Sequence, residues 1–119
     1  MRGYLDETLT PRVEVTLFDI EKIGKDFSCV IDTGFTEEIY LPVKFAEELN
    51  LEISGVEPIM LADGSITKVS IAPIFLRWCG KTREVIALIG GGKDILIGIK
   101  LLSDYELKIN FTKGVVELL

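Results

Sequence analysis

In the stretch FSCVIDTGFTEEIYLP, residues 27–42, one acid interrupts an apolar pattern. Phe27 to Ile31 read as a buried strand and Ile39 to Leu41 as another, with Asp32-Thr33-Gly34 between them. A carboxylate at the end of an apolar strand emerges at a core edge, where it can serve as a general acid or base. The competing reading is an Asx-type turn, in which Asp32 bonds its own backbone and Gly34 supplies a positive φ. The chain contains no histidine. That removes Ser-His-Asp and Cys-His catalysis and the HExxH zinc sites. Its two cysteines, Cys29 and Cys79, have no CxxC spacing and read as reduced core thiols, too few soft ligands for structural zinc. Hydrolysis, if present, must run on carboxylates, lysine or a metal held by oxygen ligands.

A second stretch, ALIGGGKDILIG, has the glycines of a phosphate-binding loop. Its detail fails: Asp94 stands where a P-loop needs Ser or Thr, and Ala87 replaces the first glycine. Ile95 occupies the third glycine position of a dinucleotide fingerprint. The run reads as a tight turn between strands.

The rest of the composition is that of a globular domain, with 48% hydrophobic and 27% charged residues in a 119-residue chain. That length predicts one domain spanning 1–119. A net charge of −6 argues against nucleic-acid and anionic-membrane partners, which need a basic face. No apolar run approaches the ~18 residues of a membrane span, and the N-terminal MRGYLDETLT has no apolar core of a leader. A cytoplasmic location is the expectation.

The elements that must hold Asp32 are mostly strands. PRVEVTLFDI alternates apolar and polar from Val13 to Leu17, EKIGKD has the make-up of a hairpin turn, and FSCVI returns. After the DTG come a short strand, EIYL, and a helix of about two turns over 42–50, opened by Pro42, with Val43, Ala46 and Leu49 on one face. PIMLADGSITKVSIAPIFLRW predicts two strands around the Asp63-Gly64 turn. TREVIALIG and DILIG are further strands, IKLLSDY is a brief helix, and ELKINF and VVELL form a hairpin around Lys113-Gly114. Many short strands with two small helices predict a mainly β, closed or nearly closed barrel.

Three motifs in this order, VIDTGFTEEIYLP, LADGS and ILIGIKLLSDYELKINF, resemble the retropepsin-like aspartic proteases, above all their small single-domain prokaryotic members. The likeness covers residues 12 to 119 and implies a retropepsin-like acid-protease β-barrel with two short helices, near 42–50 and 99–105. It implies that Asp32 is the catalytic carboxylate and that Thr33 bonds the partner loop across a dimer axis. Gly34 would let backbone approach the carboxylates, where a Cβ would intrude. Leu61, Ala62, Asp63, Gly64 and Ser65 would belong to a flap, and Gly98 would pack beneath the active loop. Phe35 stands where retroviral members carry a small residue, and would narrow or reshape the substrate cleft. After Gly98 come Ile99 and Lys100, where those members have an arginine paired with an acid.

One DTG supplies one carboxylate, and the chemistry needs two. The resemblance therefore implies an aspartic endopeptidase acting as a homodimer on peptide or protein substrates, with no metal or organic cofactor. The terminal segment VVELL is expected to contribute to the interface as an otherwise unpaired edge. The alternative is a non-catalytic binding or dimerisation module that keeps the motif as a structural turn.

Overall fold

The computed structural model describes residues 1–119. Its ten strands form one sheet in the order β5-β6-β7-β4-β8-β3-β2-β1-β10-β9, and a further pairing of β6 with β2 closes part of it. The strands are β1 (Arg2–Leu5), β2 (Pro11–Phe18), β3 (Gly24–Ile31), β4 (Ile39–Pro42), β5 (Gly55–Met60), β6 (Ile66–Trp78), β7 (Lys81–Gly90), β8 (Ile95–Ile97), β9 (Leu107–Asn110) and β10 (Val115–Leu118). Closure makes a six-strand barrel of β6, β7, β4, β8, β3 and β2. Two short helices, α1 (Val43–Glu48) and α2 (Ile99–Leu102), interrupt the strands. Neither is long and apolar enough to cross a membrane.

Alternation explains the barrel. Val13, Val15 and Leu17 of β2 are buried, as are Ala72, Ile74, Leu76 and Trp78 of β6, while Pro73, Phe75 and Arg77 face out. Each fully buried aliphatic contributes roughly 1.5–3 kcal/mol by leaving water. Trp78, the largest wholly buried side chain, also donates its indole N–H to the Leu101 carbonyl at 2.9 Å, which ties α2 to the barrel. In β8 and β4, Ile95, Ile97, Ile39 and Leu41 are all buried, as strands deep in a barrel require.

The structure corrects four local expectations. Pro42 ends β4 and caps α1 from outside the helix, and Val43 is 47% exposed, so only Ala46 and Leu49 hold the predicted face inward. The second helix stops at Leu102, short of 105. An unexpected strand, β1, lies between β2 and β10. Its Gly3 is required there, because a Cβ would lie 2.0 Å from the Arg12 carbonyl oxygen. Lastly, VVELL is no open edge. As β10 it is paired on both sides, with β1 and β9, and buries Val116 and Leu118. The free edge of that layer is β9.

Candidate active site

Asp32 follows the last residue of β3 and is held there by the neighbouring parallel strand, its N–H donating to the Ile97 carbonyl at 2.9 Å. Its side chain is partly exposed. The chain then turns sharply: the Phe35 N–H donates to the Asp32 carbonyl at 3.1 Å, and the Gly34 N–H donates to Asp32 Oδ1 at 2.9 Å. The Asx-type bond is thus formed, but Gly34 is not among the glycines with positive φ. Gly34 instead allows close approach, since a Cβ there would lie 3.2 Å from Asp32 Oδ1. Thr33 is exposed at the tip.

Gly98, directly after β8, supports this loop from the other side. A Cβ on it would lie 2.0 Å from the Glu37 carbonyl oxygen and 2.6 Å from Cδ2 of Phe35. The Gly98 N–H donates to the Glu38 carbonyl at 2.9 Å and the Ile99 N–H to the Phe35 carbonyl at 2.8 Å. Just after Gly98, Lys100 reaches Glu37 Oε2 at 2.5 Å. That hydrogen bond raises the Lys100 pKa. Both groups are solvent-exposed, so the pair orients the loop more than it stabilises the fold.

Strands β5 and β6 project a hairpin arm whose tip is Leu61–Ser65. The Leu61 N–H donates to the Ser65 carbonyl at 2.8 Å, and Gly64 adopts φ +85°, which a side chain would resist. Asp63 Oδ1 accepts from the Ser65 hydroxyl at 2.6 Å and from its N–H at 2.9 Å, and these bonds lower the Asp63 pKa. Met60, Leu61 and Ile66 are 72%, 45% and 68% exposed. These apolar side chains flank the turn and stand in water.

Between arm and loop runs a cleft of about 500 Å³. Gly34, Phe35, Thr36 and Glu37 line it from the loop, Pro58 to Ala62 from the arm, and Leu88 from β7. Asp32 is not part of the lining; Gly34, whose N–H donates to the Asp32 carboxylate, is. Asp63, Gly64 and Ser65 lie beyond it on the arm, and Gly98 lies behind the loop. A second depression of similar size, bordered by α1, Ile53 and Ile89, lacks any such arm. Of the thiols, Cys29 is buried and its pKa is pushed up to about 12 by desolvation, so it is no nucleophile.

Sequence reasoning did not single out Glu37, Tyr40 or Leu88. Tyr40 sits in EIYLP between buried Ile39 and Leu41, so strand alternation turns it outward, toward the loop. That alternation was the available signal.

No family model and no curated protein matches this sequence. Solved structures do. A retropepsin-like aspartic protease from Rickettsia conorii superposes with a TM-score of 0.69 at 15% identity, covering 99% of this chain and 88% of that one. The EIAV protease complexed with the inhibitor HBY-793 gives 0.64 at 15% identity, over 80% and 86%. The Simian Foamy Virus (mac) protease gives 0.56 at 15% identity, over 77% and 91%. The chain has the retropepsin-like fold. At this identity the likeness is one of architecture.

Proposed function

We propose that the protein is an aspartic-type endopeptidase that works as a homodimer, one Asp32 from each subunit. The observation that carries this reading is the position of Asp32: it directly follows a barrel strand, in a loop backed by Gly98, and the next residues of that loop, Gly34 to Glu37, line a cleft whose other side is a hairpin arm. Two such carboxylates facing each other cannot both ionise, so they hold one proton between them. The ionised one accepts a proton from the attacking water, and the protonated one donates to the scissile carbonyl oxygen. The proton taken from the water then passes to the amine nitrogen as the C–N bond breaks, and the carbonyl oxygen returns its proton to the dyad. Thr33 and Gly34 shape the meeting loops, and Leu61–Ser65 act as a flap over an extended peptide, pairing with it as a strand would. Residues 1–119 act as one domain, and no metal or cofactor enters the reaction. The two free thiols accord with a reducing, cytoplasmic setting.

Strand registers support a second copy at the Asp32 end. Arg12 pairs with Val30, Leu5 with Pro11, and Val115 with Asn110, while the Leu5 N–H donates to the Gly114 carbonyl. The loop after β1 and the β9–β10 turn therefore lie at the same end of the sheet as Asp32. Leu9 and Phe111 in these turns are 60% and 63% exposed, and an isologous dimer would cover them.

Asp32→Asn should abolish peptide cleavage while leaving the melting temperature unchanged or slightly raised. Specific activity of the unaltered protein should fall on dilution in step with dimer content measured by sedimentation. Cleavage by the Asn variant, or constant activity from a monomer, would sink the shared-dyad mechanism. The rival reading, a non-catalytic module, is favoured by the Gly34 N–H bond that turns the Asp32 carboxylate to structural use. A pepstatin-type inhibitor that raises the melting temperature of the unaltered protein but not of Asp32→Asn separates the two.

A further inference from the structure

Phe35 does more than occupy a position usually given to a small residue. Its ring meets the Tyr40 ring edge-on, with centroids 6.1 Å apart and planes at 81°. The Tyr40 hydroxyl donates to the Gly91 carbonyl at 2.8 Å, and a Cβ on the adjacent Gly90 would lie 2.3 Å from that hydroxyl. On its other side, Phe35 presses on Gly98 so closely that a Cβ there would lie 2.6 Å from the ring. Two glycines thus make room for two aromatic side chains beside the catalytic loop. Both rings are partly exposed, and Phe35 lines the cleft. Leu88, in register with Tyr40 on the adjoining strand, lines it too.

We infer that Phe35, held in place by Tyr40, is the specificity-determining wall of the cleft: it fills the space next to the catalytic loop, so the substrate residue packed against it must be small, while residues facing Ile59, Met60 and Leu61 on the arm are aliphatic. The substrate class is an extended peptide with glycine, alanine or serine at one position flanking the scissile bond. A bulky side chain there would have to displace a ring braced by Tyr40 and Gly98. Tyr40 is a positioning residue, since it acts through Phe35 and through the Gly91 loop. The inference rests on the endopeptidase reading, yet its core statement concerns binding and can be read without turnover.

The test uses two statine-type peptide inhibitors that differ only by alanine or leucine at the position facing the loop, with a matched pair of cleavable peptides. Binding is measured by calorimetry, and cleavage as kcat/KM. The unaltered protein should prefer the alanine ligand by at least about tenfold, the usual weight of added methylenes in a tight pocket. Phe35→Ala should erase or invert that ratio. Phe35→Leu, which keeps an apolar contact on Gly98, should give an intermediate ratio even if the alanine variant folds poorly. Tyr40→Phe keeps the ring but loses the bond to Gly91. It should weaken the preference through kcat/KM for the bulky peptide, with little change in melting temperature. The same ratio in the unaltered protein and both Phe35 variants, or a preference for leucine in the unaltered protein, overturns the inference. Size-selective binding without any cleavage upholds the wall and overturns only the catalytic reading.

Discussion

Two hairpins in this chain share a design and differ in fate. The β5–β6 arm and the β9–β10 pair each end in a glycine turn with positive φ, Gly64 at +85° and Gly114 at +68°. The arm has no strand beyond β5 and exposes Met60 and Ile66 at its tip. The C-terminal pair is clasped by β1, whose Leu5 N–H reaches the Gly114 carbonyl, and it buries Val116 and Leu118. What separates the two hairpins is what lies against their faces and edges. The arm keeps its backbone bonds but little of its apolar surface is buried, which is how a segment of low local stability is built.

The largest effect expected from this contrast is on stability. Deleting Val115–Leu119 removes two core side chains and leaves β1 paired on one side only. Losing buried residues of this size costs a few kcal/mol each, so about 4 kcal/mol or more in total, against a typical margin of about 5–15 kcal/mol. Denaturant unfolding should show a protein largely unfolded or close to it, not one merely released from its partner. A truncated chain that keeps its melting temperature and only dissociates would return β10 to an interface role.

Next in size is a matched pair of substitutions. Gly64→Val and Gly114→Val both force a β-branched residue to positive φ, a strain of about 1–3 kcal/mol. At Gly114 the strain should appear in global stability, because the turn carries the bond to β1. At Gly64 the tip can relax, so melting should shift little while peptide cleavage falls at least about tenfold. Equal losses of stability at both sites would mean that the arm is scaffold after all.

The smallest effect is in acid. Asp6 accepts from the Arg12 guanidinium at 2.8 Å and from Thr8 and Thr10, and these bonds hold its carboxyl far below the usual range, with the Arg12 bond the largest cause. Arg12 also reaches Asp94 at 3.4 Å, so the loop after β1 is tied to the start of β8. A depressed carboxylate pKa contributes stability above its unfolded value of about 3.9 and loses it as pH falls through the folded value. Asp6→Asn should therefore melt lower than the unaltered protein at pH 7, with the gap closing below about pH 4. Asp63 is depressed in the same direction, but by Ser65 at an exposed tip. For Asp63→Asn the melting difference should stay close to zero across the same range, and a gap as wide as that of Asp6→Asn would show that the arm packs more firmly than its exposure implies.

Much of the barrel was legible from short-range pattern. Alternation over Val13–Leu17 and the short apolar runs around Ile39 and Ile95 mark strands because the pleat has a period of two and strands inside a barrel are rich in apolar residues. The Asp63-Gly64 and Lys113-Gly114 turns were legible because few residues tolerate positive φ. Strand β1 was not, since four residues with a central glycine carry no period, and Gly3 is explained only by the Arg12 backbone against it. The Glu37–Lys100 pair, 63 residues apart in sequence, was hidden for a related reason: α2 had to place Lys100 beside the loop.

What the sequence by itself determined is the local chemistry: an acid at the end of an apolar strand, glycines where chain must turn or approach chain, and no histidine to offer another mechanism. These follow from steric and side-chain properties that need no distant partner. Tertiary structure decided which hairpin has a free outer edge, which terminal strand is buried, and that Phe35 finds Tyr40 and Gly98 beside it. Those outcomes depend on closing β6 against β2 and inserting β1 beside β10, pairings between residues far apart along the chain. No window of sequence contains both partners of such a contact, and burial is set only when both are present.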